Sequence, residues 1–351
     1  MRSSARRRKE WRLRAVAAVL AVLLGHAALP GRAAPKPEPV KPVEGEEKQA
    51  GGDKGERGVV RSREPGSWEL PSNYRNADGS FNQQAIVAQQ KMRLDEVNKR
   101  LTARMRLVET PHYLVFSDAD DAMTGLFVKW CEALYSNLCR HFSIGPKEKT
   151  WDGKCILLVF NSRPLFQQYA KTFDGNDASR AGAYFAWECR SPDEPQLVHI
   201  GIPLDVRDPR RLQELFAHEG THAFFQLYRK VVDLPLWLHE GLAEFMTVVN
   251  DKNLMSQKQE WSTRIAEART PIRQILEVPS GQGFAYPSYS VSYTLVEFLL
   301  TAGRSKFKKF IDLLKDGKPQ EEALQEAYGF GLAELERRWY VFVQEYLPHR
   351  R

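Results

Sequence analysis

The sequence predicts an α+β fold: a mixed sheet with flanking helices in the first half, followed by an almost wholly helical second half. Three observations lead to it. Short apolar runs of strand character, such as Cys155–Phe160, alternate with helical periodicity between residues 107 and 202. From Pro209 onward the apolar spacing is helical nearly throughout. At 351 residues and 42% hydrophobic, the chain is long enough to bury one sizeable core with extensions attached.

Residues 1–33 carry eight Lys/Arg against the single Glu10, and enclose an apolar run from Ala15 to Leu24 followed by small residues. This is the pattern of a signal peptide, with a cleavage site near Gly31-Arg32-Ala33 and an uncleaved membrane anchor as the alternative. The run is short for a bilayer span. The expected location is therefore outside the cytoplasm: periplasmic, cell-envelope or extracellular. The net charge of +7 has its origin in this segment, and without it acidic and basic residues balance. With no stripe of interleaved Arg and aromatic residues either, nucleic acid is excluded as the expected partner.

Residues 34–66 are Pro, Lys, Glu and Gly with few large apolar side chains, so they read as a disordered linker. Residues 67–106 read as a peripheral helical segment, with a helix over 82–105 carrying Ile86, Leu94, Val97 and Leu101 at loose helical period. The main domain is expected over 107–349. It opens with a strand in RLVETPHYLVFSD, then a helix over 120–142, the strand Cys155–Phe160 and a helix over 163–173. Two strands follow, Ala181–Trp187 and Gln196–Ile202, joined by the turn-rich SPDEP. Beyond Ser305 the amphipathic spacing predicts helices that close a cleft. Four cysteines, Cys131, Cys139, Cys155 and Cys189, are compatible with disulfides in an exported protein, in a pairing the sequence does not disclose. They include no CxxC pair, which argues against a cysteine zinc site.

The chemistry concentrates in one helix, opened by Asp208 as N-cap and Pro209 in the first turn, that contains His218-Glu219-Gly220-Thr221-His222. Histidines four apart share a helical face and can converge on one ion, while Glu219 beside them is placed to reach a water on the metal. After a short break centred on Asp233 and Pro235 comes LWLHEGLAEF, whose Glu240 can complete a three-ligand set. Two histidines and a glutamate leave a fourth position open, as a catalytic zinc requires. Glu244 is one turn beyond Glu240, where it can accept a hydrogen bond from the outer nitrogen of a ligand histidine. His239 points about 100° away from Glu240 around a helix and reads as a residue either supporting a ligand from behind or standing at the rim of the site.

HEGTH followed by WLHEGLAEF resembles the gluzincin branch of zinc peptidases, the clan of thermolysin-like proteases and zinc aminopeptidases, and most of all secreted bacterial peptidase-like domains with HEGTH and WLxEGLAE. The resemblance implies a zincin-like fold and one zinc per chain held by His218, His222 and Glu240. It implies Glu219 as general base in peptide-bond hydrolysis, and a peptide or protein as substrate. Seventeen residues separate His222 from Glu240, fewer than is usual in that clan, so the connecting loop must be tight. In related zincins the edge strand beside the metal pairs with an extended substrate; here that is one of the strands expected at 181–187 and 196–202. A GxMEN sequence for gripping a free amino terminus is not found, Gly182-Ala183-Tyr184 being a faint echo, which favours an endopeptidase or processing protease over an exopeptidase. A donor to the developing oxyanion is expected from the tyrosines of FAYPSYSVSY: Tyr293, set within a helix, with Tyr289 a close second. Simple core or rim tyrosines are an equally good reading of both. The competing function is a catalytically weak envelope or surface binding protein that keeps its zinc, a reading the retention of a base at Glu219 disfavours.

Overall fold

In a computed structural model, residues 60–61 and 70–347 are described, apart from 146, 147, 149, 190–193, 206–207, 231, 279–283 and 285. They lie in one compact unit, Gly55–Arg351. The signal-peptide reading of 1–33, and all of the linker except Val60 and Arg61, lie outside them. Among the described residues no helix is long and apolar enough to cross a membrane.

The first half forms a mixed sheet with strand order β1-β5-β6-β4-β3-β2. Its strands are β1 (Val60–Arg61), β2 (Arg106–Glu109), β3 (Tyr113–Ser117), β4 (Cys155–Phe160), β5 (Tyr184–Glu188) and β6 (Leu197–Pro203). The single strand expected in RLVETPHYLVFSD is two: Thr110-Pro111-His112 turns the chain, and β2 and β3 pair antiparallel with Leu107 opposite Phe116. The turn falls in the short polar break Glu109-Thr110-Pro111-His112, which separates Leu107-Val108 from the apolar run Tyr113–Phe116. β3, β4 and β6 are parallel neighbours, while β5 runs antiparallel to β6. The stretch expected as linker contributes β1, which pairs in parallel with the outer side of β5, Val60 opposite Ala186.

Alternation along the strands divides the sheet into two packed faces. On one, Leu114, Phe116, Ile156, Leu158, Phe160, Tyr184, Ala186 and Leu197 meet helices α1 (Gln83–Arg100) and α3 (Arg163–Tyr169) in one core cluster. α1, expected as a peripheral segment, lays Leu94 and Val97 fully into this core and fixes Gln90 to the Lys154 carbonyl at 2.6 Å. α3 does not run on to Phe173; its last turn widens into a π-helical turn, Ala170–Asp174, ended by Gly175 at φ 62°. The other face receives α2 (Asp121–His141) and α4 (Pro209–Leu227). Phe216 of α4 packs edge-on against Tyr113 of β3 and Phe127 of α2. The four cysteines are free thiols.

The second half is helical as expected: α5 (Leu236–Asn250), α6 (Met255–Glu267), α7 (Arg273–Leu276), α8 (Tyr286–Ala302), α9 (Arg304–Lys315), α10 (Gln320–Tyr328) and α11 (Leu332–Val341). α5 is packed between α4 and α8. Its approach to α8 is so close that a Cβ on Gly241 would lie 2.4 Å from the Ser292 carbonyl oxygen, which explains glycine in the middle of this helix. The short α4–α5 connection is tied down from α9. The buried Lys315 donates from Nζ to the carbonyls of Phe225 (2.9 Å) and Val232 (2.8 Å), and burial lowers its pKa to about 7.

Candidate metal centre

The α4 helix starts where expected, with the Asp208 side chain accepting from the Arg210 amide and Pro209 in the first turn. Both histidines of its motif are buried, and Thr221 between them is satisfied within the helix by the Ala217 carbonyl at 2.6 Å. Gly220 faces α2, where a Cβ would meet Leu134 at 2.5 Å. The second ligand helix, α5, pairs Glu244 with His218 and Glu240 with both histidines, so α4 and α5 run antiparallel across the site.

His218, His222 and Glu240 form a buried group whose ligand atoms all lie within 4.8 Å of one another, the one such group of His, Cys, Asp or Glu among the described residues. The two Nε2 atoms are 3.0 Å apart, and Glu240 Oε2 is 3.5 Å from that of His218 and 3.7 Å from that of His222. Ligands about 2.05 Å from one tetrahedral zinc stand about 3.3 Å from each other, so the three separations bracket what zinc needs. Two imidazole nitrogens and one carboxylate oxygen are also its ordinary donor set. The residues fit the ion.

Around this group the structure adds a shell. His218 Nδ1 faces Glu244 Oε1 at 3.6 Å, within ion-pair reach, and a proton on Nδ1 leaves the Nε2 lone pair for the metal. Lys258 of α6 ion-pairs with the other carboxylate oxygen of Glu244. Glu219 is buried on α4, about 100° around the helix from His218 and 60° from His222, beside the ligand face and not on it. His239 is half-buried, its ring 4.2 Å from that of His222; burial, then the Lys315 charge, lowers its pKa to about 4, so it is neutral at neutral pH. Phe185 of β5 packs with them, 5.4 Å from the His222 ring and 5.8 Å from that of His239.

Neither of the two strands expected beside the metal is the edge of the sheet: β6 lies between β5 and β4, and β5 carries β1 on its outer side at Val60–Arg61. Tyr184, the last residue of the Gly-Ala-Tyr echo, turns to the opposite face of the sheet and donates to Asp174 at 2.5 Å. Tyr293 is buried in α8 with its ring stacked on Phe245 of α5 at 6.4 Å, and Tyr289 is half-buried against Phe284 at 5.1 Å. Sequence reasoning missed Phe185, Lys258 and the loop-tying Lys315. None belongs to a motif; Lys258 looks like any lysine of a polar helix, and the only signal for Lys315 was the unusual shortness of the loop it holds.

Residues 212–345 match the model of the Peptidase MA superfamily, a stretch that holds His218, Glu219, His222, Glu240, Glu244 and both tyrosines. No curated protein matches the sequence significantly. Among solved structures, an M1 zinc metallopeptidase from Deinococcus radiodurans is similar with a TM-score of 0.37 at 13% identity, over 68% of this chain and 51% of that one. The chain thus spans about half the length of that enzyme.

Proposed function

We propose that the protein is a zinc-dependent peptidase, an endopeptidase or processing protease that acts outside the cytoplasm on peptide or protein substrates. The observation that carries the reading is the convergence of His218, His222 and Glu240 at 3.0 to 3.7 Å, with a second carboxylate, Glu219, buried on the same helix beside the histidines. The superfamily match over the same helices supports it, and the export signal read in residues 1–33 supports the location.

Zinc held there supplies a Lewis acid that polarises a carbonyl and makes a water more acidic. The chain's own residues do the rest. His218 and His222 present neutral nitrogens, and Glu240 contributes the one negative ligand. Glu219 takes the proton of the attacking water and returns it to the leaving amine nitrogen. Tyr293, with Tyr289 as the alternative, donates a hydrogen bond to the oxyanion that forms on the scissile carbonyl. Phe185 and His239 give the cleft an apolar, uncharged wall beside His222.

The test is elemental analysis of the purified protein with hydrolysis of a peptide library on the same samples. The wild type is expected to hold about one zinc per chain, His222→Ala none, and Glu219→Gln one zinc with the rate reduced by about 10²- to 10⁴-fold. No zinc in the wild type overturns the proposal. Zinc without cleavage of any peptide points instead to a binding protein.

A further inference from the structure

Lys258 enters the metal site from a helix that carries no ligand. Its Nζ is ion-paired with Glu244 Oε2 and stands 3.9 Å from Glu214 Oε1; the Lys258 side chain is 13% exposed and that of Glu244 only 1%. Glu214 precedes His218 by one turn of α4 and is itself drawn off by Arg211 at 2.7 Å, so Glu244 is the principal partner of Lys258. The lysine is held from behind, because its backbone carbonyl accepts from Ser290 Oγ of α8. Gln259, the next residue, donates to Glu297 of α8 at 3.2 Å.

The consequence is a directed chain of groups. With Oε2 occupied by the ammonium, Oε1 is the oxygen left to face His218 Nδ1 at 3.6 Å, and the orientation of that imidazole decides where Nε2 points. A carboxylate as buried as Glu244 also needs a counter-charge, since an uncompensated ion in the interior is costly. His218, the nearest ring, is a neutral ligand and does not provide one.

We propose that Lys258 is a positioning residue of the metal centre: it fixes the Glu244 carboxylate so that His218 is held in the tautomer and orientation that bind the ion. The inference rests on the zinc reading above and extends it to a residue on a third helix. Its effect on His218 passes through Glu244, the principal partner of its ammonium.

The experiment is a double-mutant cycle read as zinc affinity, by competition with a chromogenic chelator, on the whole exported chain. Lys258→Met is expected to weaken zinc about 10-fold, at the lower end of the 10- to 100-fold typical of groups behind the ligands, and Lys258→Arg to restore most of it. In a Glu244→Gln background, Lys258→Met is expected to add less than about twofold. Thermal unfolding of the metal-free variants separates lost positioning from lost fold, and if Lys258→Met does not fold, Lys258→Gln takes its place in the cycle. Wild-type affinity in the folded Lys258 variant overturns the proposal, as does full additivity with Glu244→Gln. A wild type that binds no zinc is a different result, which removes the reading underneath.

Discussion

His199 and Asp174 show what burial does to single residues away from the metal. Both side chains are 3% exposed, His199 Nε2 is 3.0 Å from Asp174 Oδ2, and the Tyr184 hydroxyl donates to the same oxygen at 2.5 Å. Burial alone pushes the histidine pKa down, yet the Asp174 charge and hydrogen bond outweigh it, and the net direction is up from 6.5. The protonated histidine is therefore the form the fold favours. Its stabilisation is complete below pH 6.5 and is lost as pH rises through the higher folded value. Unfolding followed from pH 6 upward should show wild-type stability declining across that window. Asp174→Asn should lower stability at pH 6 by about 3 to 5 kcal/mol, the cost of breaking a buried pair, and should abolish the decline. An unchanged slope in the variant would assign the titration elsewhere. Nothing in the sequence announced this pair: its members are 25 residues apart on different elements. The grouping of His218 with His222 was legible because residues four apart share one helical face, and that of Glu240 because its own helix carries a second short pattern.

Elements were legible where one physical signal dominated. Cys155–Phe160 is apolar at every position and is a strand from the first residue to the last; α4 has a capping Asp, a Pro in its first turn and a full helical stripe. The β2–β3 hairpin and the π-helical end of α3 were not read, because a turn of three residues makes only a brief break in a strand pattern and a single widened turn barely alters helical spacing. Glycines within helices carry information that only the packing explains. An alanine methyl at Gly241 would strike the Ser292 carbonyl, part of a backbone that cannot swing aside, whereas at Gly220 it meets the end of the Leu134 side chain, which can turn. Gly241→Ala should therefore cost about 2 kcal/mol after the gain of about 1 from helix propensity. It should also weaken zinc binding, because any shift of α5 carries Glu240 with it. Gly220→Ala should cost less, and urea unfolding of the two variants would show it; equal or reversed losses would mean that α5 and α8 can separate without penalty.

At the scale of the whole molecule, His218, His222 and Glu240 are positioned by protein contacts. Phe216 anchors α4 between the sheet and α2, Gly241 seats α5 against α8, Lys315 ties the α4–α5 connection to α9, and Lys258 brings in α6. Each of these contacts joins α4 or α5 to structure outside the group of His218, His222 and Glu240. Zinc should then add to the stability of a fold that stands without it, unlike small domains that are unfolded until metal binds. Linkage sets the size of the addition: free zinc at a thousand times its dissociation constant stabilises by about 4 kcal/mol. Chelation of the wild type should accordingly lower the melting temperature and leave the far-ultraviolet circular dichroism of the helices intact at 25 °C. His222→Ala should retain the same spectrum and show no zinc-dependent shift in melting. Loss of helical signal on chelation would mean that α4 and α5 depend on the ion for their packing, and that the contacts named here do not suffice to hold the site.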